Sequence, residues 1–348
     1  MDLKNLTERA GVFLFFTLPF PLLIFKNHAI LIPHLFLPGG YIPSINLLVI
    51  LGPTASGKTG VAVQVARRLG GEIISADSRQ VYRGMDIGTG KDLAEYGEVP
   101  YHLIDIVDPG REFSVFEFRK RFSEALLCIR GRGRLPLLVG GTGLYQEAVL
   151  REYRLEEVPP DEELRKDLTS FPLPDLAARL KKSNPRLHNT TDLLDRERVI
   201  RAIEIAESKG RARSAPPGPE LEAAVFGIRW PREILHQRIA RRLRERIDQG
   251  LIEEVKKLHQ AGVSFERLDF FGLEYRYAAM YLKGQINKNN MFQKLGSAIR
   301  QFAKRQETWF RRMERQGVRI RWVEGGKDPA GTILEMLNRI AGEERHVK

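Results

Sequence analysis

Gly52, Pro53, Thr54, Ala55, Ser56, Gly57, Lys58 and Thr59 form G-x-x-x-x-G-K-T, the spacing of a phosphate cradle. The glycines let the backbone wrap closely around phosphate oxygens with its N–H groups turned inward, and the helix that follows offers its positive end. Lys58 is a point charge for the phosphates, and the Thr59 hydroxyl suits a Mg2+ ligand. The motif leaves open which phosphate is held, the γ-phosphate of a nucleotide or another diphosphate.

A second candidate lies in SADSRQVYRGMDIGTGK, residues 75–91. Asp77 stands just past the apolar run EIISA, read as a strand neighbouring the P-loop strand. Open α/β sheets bind ligands at the carboxyl ends of their strands, which puts Asp77 near the phosphates as a base or metal partner. The plain alternative is a turn aspartate. RGMDIGTGK reads either as a mobile loop closing on substrate or as a long surface loop. An ATPase would end a further apolar strand in a Mg2+-holding aspartate. Here LPLLVG runs into GGTGLY, residues 140–145, which argues against nucleotide hydrolysis, although Asp105 in HLIDIVD could substitute.

Basic stretches supply the remaining chemistry. LHQRIARRLRERIDQG carries Arg238, Arg241, Arg242, Arg244 and Arg246 around an apolar stripe of Leu235, Ile239, Leu243 and Ile247. IRQFAKRQETWFRR interleaves Arg300, Lys304, Arg305, Arg311 and Arg312 with Phe302, Trp309 and Phe310. Arginine among aromatics suits RNA, with charge for phosphates and rings for splayed bases, while a solvated basic face over core aromatics is the simpler reading of either helix alone.

These residues need a frame. LLVIL, EIISA, HLIDIV and LPLLVG read as strands, and AAVFGIRW and VRIRWVEG add two more. Between them, Val61, Ala62, Val65, Ala66 and Leu69 form one helical stripe closed by Gly70 and Gly71. Phe118, Phe122, Leu126 and Ile129 form another, entered through a capping box of Ser114 and Glu117. Alternating strands and helices predict an α/β fold, a P-loop NTPase-like parallel sheet with helices on both faces. Residues 153–222 hold polar helical patterns, Pro-rich joints and no strand-like run, so a small all-helical inserted domain is expected there. The expected organisation is an apolar leader at 1–46, a catalytic core at 47–152, the helical insertion at 153–222 and completion of the core with basic helices at 223–348.

The leader has basic residues Lys4 and Arg9 before GVFLFFTLPFPLLIF, a run shorter than the roughly 20 residues that span a bilayer and broken by Pro19 and Pro21. It resembles the first regions of a signal peptide but lacks a small-x-small cleavage site. A misassigned start, a membrane-associating tail and an export signal are its readings, in that order. The chain of 348 residues is 43% hydrophobic, ordinary for a globular protein. One cysteine, Cys128, excludes a disulfide framework or a CxxC metal site. A net charge of +12 points to a polyanionic partner or an anionic surface.

Together, GPTASGKT, ISADSRQVYRGMDIGTGK, PYHLIDIVDP, RLPLLVGGTGLY and KRQETWFR resemble the tRNA dimethylallyltransferase family, from about residue 47 to about residue 325. The resemblance implies transfer of a dimethylallyl group from dimethylallyl diphosphate to N6 of the adenine at tRNA position 37, beside the anticodon. The P-loop would then hold a leaving diphosphate. It implies Asp77 as the base on N6, with Thr59 and Arg242 stabilising the departing diphosphate beside Lys58 and Mg2+. Arg238 is the other candidate for the arginine. Contacts with the tRNA anticodon stem-loop carry over onto Asp77, Ser78, Arg79 and Gln80, onto Glu197, Arg198 and Arg201, onto FGLEYR with Arg276, and onto Lys304, Arg305, Trp309 and Arg311. A cytoplasmic monomer with no obligate protein partner is expected. HNTTD, residues 188–192, departs from the family's usual His followed by Pro-Asn-Asp, and the compact insertion implies a reduced grip on the tRNA arm. The readings outside this resemblance are a P-loop nucleoside or nucleotide kinase and a prenyltransferase acting on free AMP or ADP.

Overall fold

The computed structural model describes residues 45–151, 161–184, 196–208 and 219–346, with the short stretches 13–15, 22–25, 28–31, 36–37, 40–41, 156–158, 193 and 213–214. The readings placed on most of the leader and on HNTTD lie outside the described residues. The chain divides into two compact units, one of residues 1–151 with 219–348 and one of residues 152–218. Among the described residues no helix is long and apolar enough to cross a membrane.

The first unit is built on one sheet. Its strands are β1 (Leu47–Leu51), β2 (Glu72–Ser75), β3 (Tyr101–His102), β4 (Pro136–Gly140), β7 (Ala223–Arg229) and β8 (Ile320–Glu324). Their order is β8-β7-β1-β4-β2-β3, with every pairing parallel. β1 is central and wholly buried because both of its faces are covered. Leu47, Val49 and Leu51 join one core, with α2 (Val115–Gly131), α3 (Gly143–Leu150), α8 (Leu251–Gln260), α9 (Phe265–Phe270), α10 (Leu273–Leu282) and α11 (Lys288–Arg315). Leu48 and Ile50 join the other, with α1 (Lys58–Leu69) and α12 (Pro329–His346). Alternate residues of one strand thus feed two cores, the signature of a doubly covered parallel sheet. Both helical stripes expected from spacing are buried. Ser114 caps α2 by accepting from the Glu117 N–H at 3.1 Å, and Gly70 ends α1 at φ 62°.

Three expectations need correction. β2 does not neighbour β1, because β4 lies between them. The crossover through α1 skips a position that a later strand fills, and adjacency in sequence cannot reveal that. HLIDIV is not a full strand: β3 ends at His102, where Leu103 (φ 63°) and Asp105 (φ 55°) turn the backbone out of the extended region. In the second unit, β5 (Glu156–Glu157) pairs antiparallel with β6 (Arg213–Ser214), where no strand was expected. Two residues are too few to leave an alternating pattern. The rest of that unit is helical, with α4 (Glu162–Thr169), α5 (Leu173–Ser183) and α6 (Arg196–Glu207) packed through Leu168, Leu176, Leu180, Val199 and Ile203.

α7 (Arg232–Asp248) follows β7 and buries Leu235, Ile239 and Leu243, so its apolar stripe faces inward as the spacing predicts.

Candidate active site

The P-loop leaves β1 at Gly52 and enters α1 at Lys58 through Gly57, whose φ of 84° is strained for a side-chain-bearing residue. Its outer carbonyls are held from α7 and the segment before it. The Trp230 indole N–H donates to Ser56 O at 2.9 Å, and Arg238 Nε donates to Ala55 O at 2.8 Å with its guanidinium over the Trp230 ring. Lys58 keeps part of its surface exposed. Burial, then the neighbouring Arg242, lower its pKa from the usual lysine value to about 8, while Asp77 acts in the opposite direction. A charge so poorly compensated is suited to an incoming anion.

Asp77 follows β2, and its Oδ1 accepts from the Arg79 N–H at 2.9 Å, a short Asx turn. The turn is braced from β4. The Ser78 N–H donates to Thr142 Oγ1 at 3.1 Å, and the Thr142 N–H donates to Ala76 O at 3.2 Å. A methyl on Gly140 would come within 2.2 Å of Ala76 O, and one on Gly141 within 2.4 Å of Gln306 Nε2. The glycines of GGTG therefore serve close approach of the β2 end and of α11. Asp77 still reaches the cradle's electrostatic field, although β4 separates the two strands, because all three strands end on one edge of the sheet.

Arg238, Arg242 and Arg246 form one row along α7 at helical spacing, while Arg241 and Arg244 are exposed. Arg238 is engaged with the loop's backbone. Arg242 Nη2 lies 3.1 Å from Asp92 Oδ2 and lowers the Lys58 pKa, as Arg246 does to a smaller extent. Arg246 is buried, which with Arg242 lowers its pKa to about 10, and its Nη1 faces Gly88 O and Glu274 at 3.4 Å each.

The RGMDIGTGK segment is pinned, neither a free lid nor a plain surface loop. The Lys91 side chain is wholly buried, donating to Tyr82 O at 2.7 Å, to Asp86 Oδ1 at 2.6 Å and to Asp105 Oδ1. Asp105 is thereby paired with Lys91. From α8, Glu254 accepts the N–H groups of Asp86, Ile87 and Gly88 at 2.9, 2.8 and 3.0 Å, a carboxylate seated in a backbone nest. The Tyr275 hydroxyl donates to the same carboxylate at 2.7 Å. Burial, then Glu254, push that phenol well above its usual pKa, so it stays a donor.

The residues assigned to tRNA separate into outward and inward groups. Lys304, Arg305 and Arg311 are exposed on α11, as is Arg276 on α10. Ser78 and Arg79 are half-buried beside Asp77, with the Arg79 guanidinium over the Phe270 ring. Gln80 is buried, accepting from Ser75 Oγ at 2.9 Å and donating to Gly90 O at 3.0 Å, so its side chain joins β2 to the pinned loop. Trp309 is half-buried, packed on Gly143 with Arg312 over its ring, which makes it a brace of the GGTG turn. In the second unit Glu197 and Arg198 are exposed. Arg201 donates to Glu204 at 2.7 Å and to Val158 O at 2.8 Å. Burial alone would raise the Glu204 carboxyl, but hydrogen bonds from Arg165 and Arg201 hold it below the usual range.

Asp92 and Glu254 stand in none of the motifs the sequence singles out, and Lys91 and Gln306 stand there only as members of RGMDIGTGK and of the tRNA-contact run KRQETWFR, with no role of their own. Only Gln306 left a signal: it is the polar member of the buried stripe Ile299, Ala303, Gln306, Phe310 and Met313.

The model of the family "IPP transferase" matches residues 80–313, and that of "Isopentenyl transferase" matches residues 45–98. The chain is 63% identical over 294 residues to tRNA dimethylallyltransferase 1 of Geotalea uraniireducens, covering 84% of this chain and 97% of that protein. It is 61% identical over 293 residues to tRNA dimethylallyltransferase 1 of Geotalea daltonii, covering 84% and 95%. Its fold is similar to the crystal structure of the tRNA isopentenylpyrophosphate transferase of Bacillus halodurans, with TM-score 0.63 and 37% identity, covering 86% of this chain and 97% of that one.

Proposed function

The chain belongs to the IPP transferase family of tRNA dimethylallyltransferases, and from that premise we propose how its own residues carry the transfer. The donor is dimethylallyl diphosphate and the acceptor is N6 of adenine 37 in the anticodon loop of tRNA. The reaction breaks the allylic C–O bond, forms a C–N bond and releases a proton and diphosphate. Gly52–Thr59 hold the diphosphate, with Lys58 and Arg242 meeting the charge that grows as it leaves. Asp77 takes the proton from N6, an amine made a poor nucleophile by conjugation with the ring. The adenine must leave its stack to reach Asp77, and exposed Lys304, Arg305, Arg311 and Arg276 position the RNA backbone.

The observation that carries this reading is the placement of the P-loop and the Asp77 turn at one edge of the parallel sheet, where Arg242 and Asp77 both act on the Lys58 charge. Mg2+ fits as an ion brought in with the diphosphate. Among the described residues no group of three or more His, Cys, Asp or Glu side chains is arranged to hold a metal, and Mg2+ is commonly shared between few protein ligands and substrate phosphates. Thr59 would be its protein ligand, and the ion would neutralise charge on the leaving diphosphate. The reading puts a single copy of the chain in the cytoplasm, where tRNA is used.

Incubation of unmodified tRNA with dimethylallyl diphosphate and Mg2+, followed by mass analysis of the nucleosides, tests the reading. The expected product is N6-(dimethylallyl)adenosine at position 37. Equal use of free AMP, or phosphoryl transfer from ATP with no use of dimethylallyl diphosphate, would overturn it.

A further inference from the structure

Gln306 sits at 7% exposure on the buried face of α11. Its side chain reaches two loops far away in sequence. Gln306 Oε1 accepts from the Thr54 N–H of the P-loop at 2.8 Å, and Gln306 Nε2 donates to Gly141 O of the GGTG turn at 2.8 Å. The other members of its stripe, Ile299, Ala303, Phe310 and Met313, are apolar. A residue needed only to fill that space would be apolar too, because a buried amide must find partners for both ends or cost stability.

The same helix is fastened twice more toward its end. Trp309 packs on Gly143, and Arg312 Nη2 donates to the buried Glu147 of α3 at 2.6 Å. Lys304, Arg305, Thr308 and Arg311 lie exposed on the same helix. One helix therefore grips the phosphate loop and the loop beside Asp77 on its inner side while presenting cations on its outer side.

We infer that Gln306 is a positioning residue that ties the diphosphate cradle to the RNA-facing helix, fixing the distance between donor and acceptor. This rests on the function proposed above. It goes beyond that function by making the P-loop's shape depend on a side chain from the RNA-facing helix. Displacing reacting groups by about 1 Å can cost on the order of 100-fold in rate, so a clamp of this kind acts on donor binding and turnover, not on RNA affinity.

The test uses Gln306→Met, which keeps the length and bulk but removes both hydrogen bonds, and Gln306→Glu, which keeps the acceptor for Thr54 and loses the donor to Gly141. Binding of inorganic diphosphate is measured by calorimetry, tRNA binding without donor by filter retention, and transfer by steady-state kinetics. In Gln306→Met, diphosphate binding is expected to weaken by about 10-fold and kcat to fall, with the tRNA Kd unchanged. Gln306→Glu sets a carboxylate oxygen against Gly141 O and a negative charge beside the cradle, so its diphosphate affinity should fall at least as far as in Gln306→Met. Unchanged diphosphate affinity in Gln306→Met, or a loss of tRNA affinity as large as that for diphosphate, would overturn the inference. Failure of the unaltered protein to modify tRNA would count against the proposed function, and the diphosphate titration would still decide the clamp.

Discussion

Arg242 Nη2 lies 3.1 Å from Asp92 Oδ2, and both groups act on Lys58 with opposite sign. Arg242 lowers the lysine's pKa and Asp92 raises it, around a value of about 8 set chiefly by burial. A bound diphosphate favours the charged lysine, so donor affinity is present below that value and declines as pH rises through it. The kcat/KM for donor should fall above about pH 8. Asp92→Asn removes the smaller of the two charges that raise Lys58, Asp77 being the larger, and should shift the falling limb modestly to lower pH. Lys58→Arg should abolish the limb, because guanidinium does not titrate in this range. Rate against pH at subsaturating donor reads all three.

Asp77 offers a cleaner separation of structure from chemistry. Its Oδ1 already accepts the Arg79 N–H, and Asp77→Asn keeps that acceptor while removing the proposed base. Turnover should drop by about 100-fold or more, the usual scale of a positioned base. The tRNA Kd and the melting temperature should stay near those of the unaltered protein. Full turnover in Asp77→Asn would remove the residue from this role.

Lys304 and Arg305 are exposed on α11 and free of the inward clamp. In their proposed role as phosphate contacts they would hold RNA without reading its sequence. Each alanine substitution should weaken all tRNA substrates alike and reduce the slope of log Kd against log salt by about 1. Arg201, engaged with Glu204 and Val158, should instead lower stability when replaced. Filter binding at several salt concentrations distinguishes them.

Two buried arrangements should show in unfolding. Gly140→Ala places a methyl against the Ala76 backbone, and overpacking of this kind costs about 2 kcal/mol. Lys91→Met strips Asp105 and Asp86 of their shared cation; both carboxylates keep solvent contact, so the loss expected is about 1 kcal/mol, below that of a wholly buried pair. Urea titrations measure both. Amide exchange should quicken through residues 86–91 in the lysine variant, since Lys91 anchors that loop.

The sequence by itself determined the elements and the cradle. Helical stripes such as Val61 to Leu69, the β1 run and the glycines of GPTASGKT are local signals, written within a turn or a strand of the residues they govern. It also carried the family, through motifs whose order survives along the chain. Tertiary structure alone decided which strands are neighbours and which side chains converge. β4 separates β1 from β2, Asp105 is bound to Lys91, Glu254 fills the nest of the loop at 86–88, and Gln306 joins Thr54 to Gly141. Each of these depends on a crossover or a buried polar partner distant in sequence. A buried polar group is tolerated only because that partner is there, and spacing within one segment holds no record of it.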